Sequence, residues 1–211
     1  MNEALLLIFQ LIVFIFSVII HEVSHGAMAL KLGDTTAKDM GRLTLNPLKH
    51  LDLFGSFLLP IMLYFLTNGA FVFGWAKPVP YDPTRLKNPL RSAGLIAAAG
   101  PGSNLVVAFV FGMLIRLLDF AGLSIGPLSD LLSFIVFVNI LLAIFNLLPL
   151  PPLDGSKVLF AVLPYRYYAL RAFLQRYGFV LLLLLIFSGL NIIRPFVIGL
   201  YKLLVGSGGL F

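Results

Sequence analysis

The chain has 211 residues, of which 60% are hydrophobic and only 11% charged, and its mean hydropathy is +1.01; a soluble domain needs far more charge to cover its surface, so a bilayer must solvate much of this one. The absence of cysteine excludes disulfides, thiolate metal sites and cysteine nucleophiles, and leaves His, Asp and Glu to hold any metal. The formal charge of +6 is spread over short loops between apolar runs, as in a multi-pass membrane protein, and does not form the basic stripe that nucleic acid requires.

Met1-Asn2-Glu3 is acidic and leads into apolar sequence without a small-residue cleavage site, so no removable signal peptide is expected. No charged residue occurs from Ala4 to Ile20; at about 1.5 Å per residue this covers about 25 Å of hydrocarbon, and the helix is expected to continue through Leu30. A polar segment with Asp34, Lys38, Asp39 and Arg42 follows. The alternation in Gly41-Arg42-Leu43-Thr44-Leu45 predicts a short strand. Leu53–Phe73 is apolar but broken at Gly55, Pro60 and Asn68-Gly69. Gly74-Trp75-Ala76-Lys77-Pro78-Val79-Pro80 is too rich in proline for helix and reads as an extended edge.

Further apolar stretches run over Ser92–Leu118, Leu131–Leu150, Phe179–Leu190 and Phe196–Val205, the last spanning or lying in the interface. The expectation is an all-α polytopic membrane protein with about five to six transmembrane helices, a small membrane-associated β element and a re-entrant segment. Residues 1–211 form a single domain, without repeats or a second soluble unit.

Lysines and arginines outnumber acids in Lys31–Leu51, Trp75–Arg91 and Leu153–Arg176, whereas Asp119–Asp130 has none. The first three loops are therefore expected in the cytoplasm and the fourth outside. Cytoplasmic loops on both sides of Leu53–Phe73 make that segment enter and return; the alternative is a single crossing that violates the charge rule for one loop.

His21-Glu22-Val23-Ser24-His25 ends the first apolar run. Residues four apart share a helix face, so both imidazoles can reach one ion, while Glu22 can serve as base toward a water activated by it. Ionisable groups contiguous with a membrane helix are costly and point to function. A catalytic zinc takes three protein ligands, and two candidates remain for the third. Asp154 ends the fourth stretch at the same cytoplasmic depth as the histidines, though Asp-Gly is also a common turn. His50 lies in a charged loop, where a structural role is the plainer reading. A metal-binding transporter or channel, with His and Asp lining an ion path, is the competing function.

His21-Glu22-Val23-Ser24-His25-Gly26, Asn146-Leu147-Leu148-Pro149 and Leu153-Asp154-Gly155 together resemble the site-2 protease family of intramembrane zinc metalloproteases, in its short prokaryotic form. Arg42–Pro47, Gly74–Pro80 and Gly100-Pro101-Gly102-Ser103-Asn104 are similar to family segments in the same order. The resemblance implies a zinc-dependent endopeptidase, with one Zn2+ per chain, that hydrolyses a peptide bond in or next to a transmembrane segment of a membrane-protein substrate. It assigns His21, His25 and Asp154 as zinc ligands, Glu22 as general base and Asn146 to the scissile carbonyl, although Asn146 could equally cap a helix end. Asn104 is similar to a family membrane asparagine with a substrate or packing role. Thr44 and Trp75 lie in extended pieces implied to form a sheet whose edge binds unwound substrate. The implied setting is the cell (plasma) membrane, with the active site toward the cytoplasm. No PDZ or nucleotide-sensing domain is expected in this chain.

Overall fold

Asn2 stands in extended conformation with its side chain accepting from the Ala4 N–H, and so starts the first helix, α1 (Glu3–Lys31). The computed structural model describes residues 2–68, 77–123, 126–189 and 191–206. After α1 come α2 (Thr36–Asp39), α3 (Leu59–Leu66), α4 (Pro89–Phe120), α5 (Pro127–Asn146), α6 (Asp154–Val162), α7 (Tyr168–Phe187) and α8 (Arg194–Val205). No strand occurs among the described residues. Among the described residues four helical segments, α1, α4, α5 and Tyr165–Phe187 through α7, are long and apolar enough to cross a membrane. Leu7, Leu11, Phe14, Val106 and Leu184 are all exposed along them, an arrangement that only lipid tolerates.

α4 is the central post, packed against α1, α5, α6 and α8. Small residues on it let neighbouring backbones come close, the usual basis of helix association where lipid removes the hydrophobic drive. Gly94 abuts Ala161 of α6, and a Cβ on Gly112 would lie 3.0 Å from that of Leu204 in α8. A core of Ala108, Ile115, Val136, Ile140, Val197 and Tyr201 joins α4, α5 and α8. Arg116 donates to the carbonyls of Leu203 and Leu204, capping the end of α8.

Polar contacts organise the connections at the other end. Asp34 is fully buried. One of its oxygens accepts from the Thr36 N–H and hydroxyl, and the other accepts from the Asp82 N–H at 2.7 Å. Burial pushes this carboxyl up, but the Thr36 and Asp82 donors outweigh it and hold the group below the ordinary carboxylate value. Arg42 donates to the Lys49 carbonyl and, at 2.7 Å, to that of Lys77, while the Lys77 N–H donates to the His50 carbonyl at 2.8 Å. The two ends of the 51–76 segment therefore meet.

Several expected boundaries move. Gly41 takes a φ of 62° and residues 43–44 bend, so no strand forms over 41–45. The polar groups are satisfied locally instead: Thr44 offers its carbonyl to His50 Nε2 at 2.8 Å and its hydroxyl oxygen to the Asn46 N–H. Of the other half of the expected sheet, Gly74–Pro80, residues 74–76 with Trp75 lie outside the described residues, and 77–80 form no strand. The Leu53 run opens as a π-helix, Leu53–Leu58, and its α-helix ends at Leu66. The fourth apolar stretch is helical only to Asn146, before the prolines, and the sixth is the 12-residue α8, short for a crossing.

Asp34→Ala leaves three partly buried donors without an acceptor. Bonds to a charged group contribute about 1.5–3 kcal/mol each, so a loss of about 3 kcal/mol is expected in urea unfolding of the detergent-solubilised protein. Because the native carboxyl titrates low, the wild-type advantage over Asp34→Ala should persist at neutral pH and fade only as acid protonates Asp34. An unchanged midpoint at pH 7 would contradict this account.

Candidate metal centre

α1 carries His21 and His25 on one face near its end, with ring centroids 4.6 Å apart and planes at 89°. Their Nε2 atoms each lie 3.1 Å from the same oxygen, Oδ2 of Asp154. Asp154 opens α6. It is brought there because Gly155 packs on the carbonyls of Leu147 and Leu148 at the end of α5, a place where any side chain would collide. All three side chains are nearly enclosed, at 6, 9 and 9% exposure.

The donor set fits a tetrahedral divalent ion. Ligands about 2.0–2.1 Å from zinc stand about 3.3 Å from one another at tetrahedral angles, close to the 3.1 Å separations here. Room for the ion is left by Gly100 of α4: a Cβ on it would lie 2.6 Å from His21 Nε2 and 2.5 Å from His25 Nε2. The remaining ring nitrogens are held from behind, His21 Nδ1 by Asn104 Oδ1 at 2.7 Å and His25 Nδ1 by the Ile96 carbonyl at 2.6 Å. A carbonyl only accepts, so Nδ1 of His25 carries the hydrogen and its Nε2 lone pair is free to ligate.

A cavity of about 220 Å³ opens onto this cluster and is lined by Glu22, Val79, Asn146 and Lys157 among others. Glu22 Oε2 accepts from the Val79 N–H at 2.9 Å. Asn146, in the last turn of α5, donates from its amide to the Leu142 carbonyl at 2.9 Å, which orients it from below. Lys157 lies one helical turn beyond Asp154, with Nζ 3.6 Å from Oδ1, the oxygen turned away from the histidines.

Of the residues singled out in the sequence, His21, Glu22, His25, Asn146 and Asp154 meet at this cavity. His50 does not: it is buried in the 41–50 loop with Nε2 on Thr44. Thr44 is engaged in that same loop and is absent from the cavity wall, and Trp75 lies outside the described residues. Asn104 is 0% exposed and spends its amide on His21, Ser17 and Asn139, behind the histidine and absent from the cavity wall. Sequence reasoning missed Lys157, Val79, the Ile96 carbonyl and the space at Gly100. The Gly74–Pro80 segment carried a signal for Val79 and the Gly100-Pro101-Gly102 cluster one for Gly100; the other two had none.

The model of peptidase family M50 matches residues 9–125 and 121–185. Over 188 residues the chain is 38% identical to YwhC of Bacillus subtilis, covering 87% of this chain and 82% of the relative, whose name reads "Putative zinc metalloprotease". The same description is borne by Rip2 of Mycolicibacterium smegmatis, 30% identical over 69% of this chain and 53% of its own length. It is also borne by MJ0611 of Methanocaldococcus jannaschii, 43% identical over 31% of this chain and 32% of its own. No solved structure matches. A family match that runs from residue 9 to residue 185, together with a Bacillus relative aligned over most of both sequences, makes this chain a member of peptidase family M50.

Proposed function

We propose that the chain is a zinc-dependent endopeptidase of the bilayer that cuts membrane-protein substrates in or beside a transmembrane segment. The observation that carries this reading is the convergence of His21 Nε2, His25 Nε2 and Asp154 Oδ2 on the space left by Gly100. His21, His25 and Asp154 would hold one Zn2+, which when bound supplies the Lewis acid that makes water a nucleophile at neutral pH.

The chain's own residues do the rest. Glu22, one residue from a ligand, faces the cavity with Oε2 fixed by the Val79 N–H, and its other oxygen takes the proton from the attacking water. The Asn146 amide, braced by Leu142, stands at the cavity wall where it can donate to the oxygen that gains charge at the scissile carbonyl. The enclosure of the three ligands keeps bulk water away from the reacting groups. The Val79 contact also ties the 77–80 stretch to Glu22. This supports the reading that an opened substrate chain lies along the same backbone.

Residues 1–211 act as one domain in this reading, in the plasma membrane with the cavity toward the cytoplasm, as the loop charges favour. The meeting of Lys77 with His50 supports a re-entrant path for the intervening segment. The M50 match and the placement of Glu22 beside the ligands favour proteolysis over a transporter or channel.

Glu22→Gln is expected to retain zinc, measured by metal analysis of purified protein, while cleavage of a model single-span substrate falls by about 100-fold or more; undiminished cleavage would sink the proposed role of Glu22. Asp154→Ala is expected to lose both metal and cleavage, and full zinc occupancy in that variant would remove Asp154 from the ligand set. Gly100→Ala puts a methyl group where the ion belongs, so its metal content should fall as far as that of Asp154→Ala. Wild-type occupancy in Gly100→Ala would place the ion elsewhere.

A further inference from the structure

Behind the histidines a buried chain of amides crosses three helices. Asn104 of α4 and Asn139 of α5 are both 0% exposed. Bare amides at such depth in a membrane protein are costly unless every polar atom is engaged, and here each is. Asn139 Nδ2 donates to the Ile135 carbonyl and to Ser17 Oγ, both at 2.9 Å. Asn104 Nδ2 donates to Asn139 Oδ1 at 2.8 Å and to the Ser17 carbonyl at 3.1 Å. Asn104 Oδ1 then accepts from His21 Nδ1 at 2.7 Å.

The direction of this chain is set by its ends. The carbonyls of Ile135 and Ser17 have no hydrogen to give, so the amide nitrogens must face them. Asn139 consequently turns its oxygen to Asn104, and Asn104 turns its oxygen to His21. Nδ1 of His21 must then carry the hydrogen, which leaves the Nε2 lone pair aimed at the space by Gly100. Reversing the Asn104 amide would set its oxygen against two acceptors, the Ser17 carbonyl and Asn139 Oδ1.

We propose that Asn139, which touches neither the cavity nor the ligand atoms, is a positioning residue that acts through Asn104 to lock His21 in the Nδ1–H form able to bind the metal. This rests on the reading of His21 as a zinc ligand. Without Asn139 one of the two bonds that forbid the reversed Asn104 amide is lost, and a buried N–H is left bare. His25 needs no such chain, because a backbone carbonyl already fixes it. The two ligands of α1 are thus aligned by different means, one local to α4 and one that requires α5 to be in place.

The test is zinc affinity, measured by chelator competition on the purified full chain, for wild type, Asn139→Leu, Asn104→Leu and the double variant. Loss of an outer hydrogen bond to a ligand lowers metal affinity about 10–100-fold, and each single change should do so. The double variant should bind no more weakly than Asn104→Leu, because Asn104 is the only hydrogen-bonded link from Asn139 to the His21 ring. The proposal is overturned if Asn139→Leu stays within about two-fold of wild type, or if the two losses multiply as independent sites do. Should a leucine variant fail to fold, the side-chain proton–nitrogen spectrum of the zinc-loaded wild type decides. A slowly exchanging hydrogen on His21 Nδ1 upholds the proposal, and ligation through Nδ1 overturns it. A wild-type protein that binds no zinc would instead defeat the metal reading itself, whereas wild-type zinc binding that survives in Asn139→Leu defeats only the present inference.

Discussion

Two imidazole nitrogens and one carboxylate oxygen meet at 3.1 Å inside an apolar helix bundle, and the remainder of the structure is arranged so that they can. Polar groups at that depth carry a desolvation penalty of several kcal/mol each unless they are paired. They persist because every neighbouring element contributes something that cannot be moved without cost. α4 contributes an absence, the missing side chain of Gly100, and a backbone carbonyl at Ile96. The α5–α6 junction contributes Asp154, and Gly155 allows it to approach by lying flat on the carbonyls that end α5.

Tight helix crossings make this placement possible. Gly94 and Gly112 bring α6 and α8 onto α4 in the same way that Gly100 admits the two rings, so one helix serves as the template for the whole assembly. Lipid cannot drive helices together as water does, so close van der Waals fit and buried hydrogen bonds must hold them. The Ser17–Asn139–Asn104–His21 chain supplies the second of these and ties α1, α4 and α5 to one another at the level of the ligands. Stability and metal geometry are therefore carried by the same contacts.

At the polar end, Arg42 and Asp34 perform the corresponding task with backbone groups. Arg42 gathers carbonyls from residues 49 and 77, and Asp34 gathers donors from residues 36 and 82. Between them they position the 77–82 stretch, from which Val79 reaches Glu22. The base is thereby connected to a loop whose position depends on charges far from it in sequence, a link that no single helix provides.

The sequence by itself determined the solvent and the chemistry. Apolar runs at α1, α4 and α5 were legible because a lipid-facing helix must be apolar over some twenty residues, whatever it packs against. His21, Glu22 and His25 were legible because four-residue spacing fixes a shared face on any helix. Asp154 was legible as one of two candidates, since periodicity does not say which of two remote segments folds back. Tertiary structure brought Asp154, and not His50, against the two histidines by packing α6 on α4 through Gly94. It also turned the expected strand at 41–45 into bends, because Gly41 took a positive φ and His50 took up the Thr44 carbonyl that strand pairing needs. Asn139 gave no local signal, and the Gly100-Pro101-Gly102 cluster marked a place but not its use, for their meaning lies in which atoms stand opposite them. Such opposition arises only when separate helices are brought together.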